Sequence, residues 1–201
     1  MQLEKVFEEA FNFHGHKCWA SAVGVRAGLK ALKVLGVERA KNADDLHCII
    51  EIGDNHGAQC FADGVQFTTG CTLGKFSIEK TGWGKLAFTL IDKKNQKSVR
   101  VSYKPTRHKQ IAQSAFMTKK SQGMKPSEIP EDDVFDMLRI IIDAPDDDIL
   151  TVSKVEERPW EEFGEIMGLH PCDICGELVA APYLRVVGEK HVCIPCSGYE
   201  I

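Results

Sequence analysis

The stretch KFSIEKTGWGKLAFTLIDKKNQKSVRVSYK, residues 75–104, holds three segments in which apolar and polar residues alternate: KFSIEK, KLAFTLID and KSVRVSYK. A period of two turns one face of each segment toward a core, as in half-buried β-strands. TGWG and KKNQ between them are short and turn-forming, so the three read as a meander of antiparallel strands. LHCIIEI at 46–52 is a short apolar run with β-branched residues and reads as a buried strand. ILTVSKV at 149–155 reads as a late strand returning to the sheet.

Outside these runs the period changes. Leu3, Val6, Phe7, Ala10 and Phe11 recur at helical spacing, giving an amphipathic helix over 3–12 that ends at His14-Gly15-His16. Trp19 to Leu35 is a second helix with Ala22, Val25, Leu29 and Leu32 on one face and Gly36 as its left-handed stop. Gly24 and Gly28 lower its intrinsic propensity, a cost that close approach of another backbone would repay. Ala58 to Phe67 is ambiguous in period but suits a helix, broken at Thr68-Thr69-Gly70. Arg107–Lys120 and Glu131–Ile142, the latter after Pro130, read as further helices. Helices and hairpin-linked strands are grouped rather than alternating, which points to an α+β fold with helices packed on an antiparallel sheet.

The 201 residues are 43% apolar and 27% charged, with a net charge of −4, the proportions of a globular chain with one substantial core and a small appendage. The longest apolar run falls short of the ~18 residues that span a bilayer. MQLEKVFEEAF carries acids where a signal peptide carries basic residues, so a cytoplasmic location is the expectation. Ten Lys or Arg and no acid lie between Lys93 and Lys125, while fourteen acids face Arg139, Lys154 and Arg158 between Glu128 and Glu165. The two blocks can attract one another or form solvated faces; a basic surface for an anionic ligand is the sharper alternative.

From Pro159-Trp160 the chain becomes short, turn-rich and cysteine-dense, dividing it into a core domain, 1–158, and a small domain, 159–201. Cys172-x-x-Cys175 and Cys193-x-x-Cys196, seventeen residues apart, are two knuckles spaced to give four thiolates to one structural Zn²⁺. Such a spacing fits a metal better than pairwise bridges. A segment this small cannot bury enough apolar surface to fold unaided, so the metal would be its core. With only Arg185 and Lys190 against Asp173, Glu177, Glu189 and Glu200, the finger lacks the clustered cations that nucleic-acid binding needs.

In the core domain, FHGHKCWA at 13–20 places His14, His16 and Cys18 where a loop enters the second helix, a position that lowers a thiol's pKa. Cys60, Asp63 and Gln66 recur every three residues and, on a helix, share one face. Cys71, Thr72, Gly74 and Lys75 follow Gly70. Spacing alone leaves a second metal site, a reactive thiol and plain buried cysteines all open. Cys48 reads as a small core hydrophobe, and His47 and His56 as surface or hydrogen-bonded residues.

HGHKC with GVRAGLKAL behind it, then CFADGVQFTTGCTLGK, resembles the E-subunit family of formylmethanofuran dehydrogenase, whose pattern is HGHxCPG, Cys-x-x-Asp-x-x-Gln and TGCTxGK. The resemblance covers roughly residues 8 to 105 and, with the finger that some members carry, nearly the whole chain. It implies an α+β core, a homodimer with a groove between core domains, an auxiliary treble-clef zinc finger able to swap onto the partner, and a methanogenesis-related setting. The family's pocket positions fall on His16, Cys18, Cys60, Asp63, Gln66, Cys71 and Lys75. Trp19-Ala20 replaces the usual Pro-Gly, which frees one N–H and puts an indole beside the pocket.

Three functions follow as alternatives. The first is an accessory protein, linked to a molybdenum or tungsten oxidoreductase complex, whose groove holds a transition metal on His16, Cys18 and Cys60. His14, Gln66 and Cys71 would line the ligand site, and Lys75 would meet an anionic group such as a carboxylate. The second is a metal-dependent hydrolase or transferase in which Cys18, Asp63 and Lys75 are catalytic. The third is a zinc-finger regulator.

Overall fold

The computed structural model describes residues 3–161 and 168–199, with side chains from Lys5 onward; the stretch 162–167 of the expected small domain and the Leu3 side chain lie outside the described residues. The chain divides into two compact units, residues 1–160 and 161–201. The first unit runs α1 (Leu3–His14), α2 (Trp19–Leu35), β1 (Leu46–Ile50), α3 (His56–Thr69), β2 (Ile78–Lys80), β3 (Ala87–Asp92) and β4 (Lys97–Tyr103). It continues with α4 (His108–Ala112), α5 (Ala115–Ser121), α6 (Glu131–Ile142), α7 (Asp146–Ile149), β5 (Leu150–Val152) and β6 (Glu156–Glu157). The fold is α+β, with helices on a mixed sheet.

The sheet order is β2-β1-β3-β4-β5, with β6 also on β4. Two expectations change here. β2 does not pair with β3; β1 lies between them, parallel to β2 and antiparallel to β3. Alternation identifies a strand but not its neighbour, and β1, buried at four of its five positions, supplies the central strand on which both neighbours pair. The helix expected over 107–120 is two, because the Ser114 side chain accepts from the Met117 N–H and starts a new helix after the turn at Gln113. The hairpin β3–β4 is antiparallel as expected, in a register from Ala87 opposite Ser102 to Asp92 opposite Lys97.

α2 and α3 set the site. A Cβ at Gly24 would collide with the Phe61 carbonyl oxygen, and one at Gly64 with the Ser21 carbonyl oxygen. The two helices therefore touch backbone to backbone, which only glycine permits. Val23, Val25, Ala27 and Ala31 of α2 join Phe61 and Val65 of α3, with Phe88 and Leu90 of β3, in one buried cluster. Each fully buried large side chain stabilises by about 1.5–3 kcal/mol, so this layer is stiff.

Charge is paired within the unit. Lys119 meets Asp133 and Arg107 Nη2 lies 2.5 Å from Asp148, so part of the basic block is met by the acidic block beside it, while Glu131 of the acidic block meets Lys17 Nζ at 2.5 Å. Arg26 of α2 donates to the carbonyls of Ile141, Ile142 and Ala144 and to Asp146, closing the end of α6. Buried Glu51 accepts both arms of the Arg100 guanidinium at 2.6 and 2.7 Å. Among the described residues no helix is long and apolar enough to cross a membrane.

The second unit contains the hairpin β7 (Leu169–Pro171)–β8 (Leu178–Ala180), the hairpin β9 (Arg185–Val187)–β10 (Lys190–Val192), and the short helix α8 (Ile194–Ser197).

Candidate metal centres

α1 carries His14 on its last residue and stops there, with the Gly15 N–H returned to the Phe11 carbonyl and Gly15 at φ +91°. That left-handed turn leaves room for His16 and brings Cys18 to the N-cap of α2. Cys60 sits one turn into α3, whose start is fixed by Asn55 accepting from the Ala58 N–H at 2.8 Å. Through the α2–α3 contact, one donor atom each from His14, His16, Cys18 and Cys60 lie within 4.8 Å of one another.

Asp63 explains the histidine. His14 Nδ1 lies 2.7 Å from Asp63 Oδ2, and Gln66 Nε2 donates to Asp63 Oδ1 at 3.4 Å. An ionised carboxylate only accepts, so Nδ1 carries a proton, and in the neutral ring Nε2 is the nitrogen with the lone pair. That Nε2 is buried and, among the described residues, without a hydrogen-bond partner. A buried polar atom left bare costs about 1–3 kcal/mol, and a carboxylate–histidine pair with a free second nitrogen is the usual support of a metal ligand.

The two thiols are set in opposite directions. Cys18 is brought down to about 5 by its hydrogen bond with Cys60, helped by the backbone N–H groups of Ser21 and Ala20 and by His16, against the effect of burial. Cys60 is raised by that same bond, by burial and by Asp63. Between the two sulfurs, Cys18 is the one set to ionise first. A bound cation would favour ionisation of both.

Other expected site residues lie apart from these donors. Cys71 is buried, pushed up to about 11 chiefly by burial, and its thiol neighbours Cys48, itself raised well above the ordinary range by burial. Lys75 donates to the Ala40 carbonyl at 3.3 Å. Neither is among the four converging donors. His14, expected to line a ligand site, stands with the donors instead. The signal was Asp63, but the pair spans 49 positions and no spacing rule links them. His56, read as surface or hydrogen-bonded, is exposed and places Nε2 3.7 Å from Cys60 Sγ. Trp19 packs on Tyr103 and His108, with ring centroids 6.1 and 5.4 Å away.

In the second unit, Cys172, Cys175, Cys193 and Cys196 also bring their sulfurs within 4.8 Å of one another, with 3.9 Å between Cys175 and Cys193. Two thiolates on one tetrahedral Zn²⁺ at 2.3 Å stand about 3.8 Å apart, so the cluster is compatible with a small zinc finger. Cys172 is lowered to about 6 by the backbone N–H groups of Cys175 and Cys193. Cys196 is pushed up to about 12, most by its hydrogen bond to Cys193.

Residues 13–151 match the family model described as "FmdE, Molybdenum formylmethanofuran dehydrogenase operon". A curated protein of Archaeoglobus fulgidus, called "Probable S-adenosyl-L-methionine-binding protein", is 30% identical over 98% of the chain. The chain spans 54% of that relative's length. The crystal structure of an FmdE-like protein of the tungsten formylmethanofuran dehydrogenase type, from Syntrophus aciditrophicus, has the same fold, with a TM-score of 0.58 at 20% identity over 98% of this chain and 92% of that one.

Proposed function

The chain belongs to the FmdE family, and from that premise we propose that it is a metal-binding accessory protein of a molybdenum or tungsten formylmethanofuran dehydrogenase system. In this reading the core binds a transition metal on His14, His16, Cys18 and Cys60, and the four-cysteine finger holds a structural Zn²⁺. The chain works as a cytoplasmic homodimer with a groove between core domains, where an anionic ligand binds. The operon in the family's description supports the link to the dehydrogenase.

The observation that carries the core site is His14, with Nδ1 held by Asp63 and Nε2 buried and bare. Two imidazoles and two thiolates suit a borderline metal such as zinc, nickel or cobalt. With both oxygens engaged by His14 and Gln66, Asp63 is suited to fixing the imidazole rather than to taking a proton from a substrate. Lys75 is left to the ligand groove, whereas Cys71, fully buried in the apolar cluster beside Cys48, is withdrawn from it.

Metal content per chain tests this. Wild type should bind two ions, Cys60→Ser and Cys172→Ser one each, and the two losses should add. A Cys60→Ser protein with unchanged metal content would end the core-site reading. A second reading, a hydrolase or transferase with Cys18 as nucleophile, is supported by the thiolate character of Cys18. It requires turnover of ester or amide substrates by the metal-loaded chain, abolished in Cys18→Ser.

A further inference from the structure

We propose that His56 is the exchange ligand of the core metal site: the imidazole that first takes an incoming ion with Cys60 and passes it to the four donors behind. The inference rests on the core-site reading above and adds a residue and a route to it.

The geometry comes from one helix turn. His56 is the first residue of α3 and Cys60 lies four positions on, so the two side chains share a face. Their separation, 3.7 Å from Nε2 to Sγ, is that of a hydrogen bond to sulfur. It matches another quantity. A thiolate at 2.3 Å and an imidazole nitrogen at 2.0–2.1 Å on one tetrahedral ion stand roughly 3.5 Å apart. The Cys175–Cys193 edge of the finger meets its own expected span equally closely. His56 and Cys60 are therefore spaced as two ligands of a single ion.

Burial gives the direction of travel. Cys60 and the His14 side chain are buried, whereas His16 and His56 are exposed, with rings nearly parallel at 11° and centroids 6.4 Å apart. An ion from solvent meets the two exposed imidazoles before it meets the buried donors. His56 stands outside the set whose donor atoms are all mutually within 4.8 Å, so four ligands close the finished site without it. On entry, the Nε2 lone pair of His56 displaces a water from the ion, and Cys60 displaces a second while its proton passes to solvent. His14, His16 and Cys18 then replace the remaining waters, and His56 is released. Departure runs through the same steps backward.

A ligand that serves only the passage changes rates in both directions and leaves affinity alone. Stopped-flow uptake of cobalt(II) by the full chain, and its removal by EDTA, would be followed in the absorption phase that Cys60→Ser abolishes. His56→Ala should slow uptake and removal by one and the same factor. Its cobalt affinity and stoichiometry should equal those of wild type. His56→Cys, which restores a ligand atom, should recover the rates. Unchanged rates in His56→Ala would reduce His56 to a hydrogen-bond neighbour of Cys60, and a loss of affinity with the rates would make it a permanent ligand; either overturns the proposal. If wild type shows no phase sensitive to Cys60→Ser, the core-site reading itself has failed, a result separable from failure of the exchange role alone.

Discussion

In the finger, four sulfurs come from two short turns seventeen residues apart, and the buried cluster around them is Cys172, Val192 and Cys193 with Val179 and Cys196 packed on it. In the core, the donors come from the end of one helix, the loop after it, the N-cap of a second helix and the second turn of a third, held by a large apolar layer that contains none of the four. The first cluster is nearly all ligand; the second is a recess in something already folded. The difference teaches where the metal's free energy goes. On the proposed reading, a structural zinc in the finger would contribute about 10–16 kcal/mol as folding energy, whereas a metal in the core would meet a site already folded, leaving its free energy for binding and exchange.

Metal removal is the strongest way to break that contrast. A chelator should unfold residues 161–201 and leave 1–160 native, read as proteolysis confined to the finger with the circular dichroism of the core retained. Global unfolding, or a finger that resists protease without its metal, would erase the distinction. A smaller effect should follow Asp63→Ala, which frees the His14 ring to rotate. Cobalt affinity at the core should fall by about 10–100-fold while the finger site is unmoved, measured by chelator competition. An unchanged core affinity would remove Asp63 from the metal support. The smallest effect concerns protons. In metal-stripped protein Cys18 has its pKa depressed to about 5, so its thiolate persists as pH falls and is lost only through that value. Alkylation of Cys18 by iodoacetamide should rise through about pH 5 and level off by about pH 6, with buried Cys60 unreactive. Cys172, low only while the finger turns hold their N–H groups in place, should then react as an ordinary thiol titrating near pH 8.5. A Cys18 that reacts only above about pH 8 would contradict the shift.

How much of this was legible depended on how local each signal is. α2 begins at Trp19 and ends before Gly36 as its period and its left-handed stop predict, and α6 matches Glu131–Ile142, because helix limits are written in neighbouring residues. The finger cysteines converge as their spacing implies, for the same reason. The pairing of β2 with β1 was not legible, since alternation carries no address. The single helix expected over 107–120 is split by the side chain of Ser114, which caps a new helix. His14 and Asp63 needed the α1–α3 packing to meet, and the removal of Cys71 toward Cys48 needed the strand beneath it. The attraction between the basic and acidic blocks, one of the readings of their segregation, is realised in Lys119–Asp133 and Arg107–Asp148.

The contact of Gly24 with Phe61 and of Gly64 with Ser21 has one more consequence. No amino acid is smaller than glycine, so every exchange at either position can only wedge the two helices apart. The spacing of Cys18 from Cys60 therefore stands at a floor: drift can loosen the grip on an ion but has no residue left with which to tighten it.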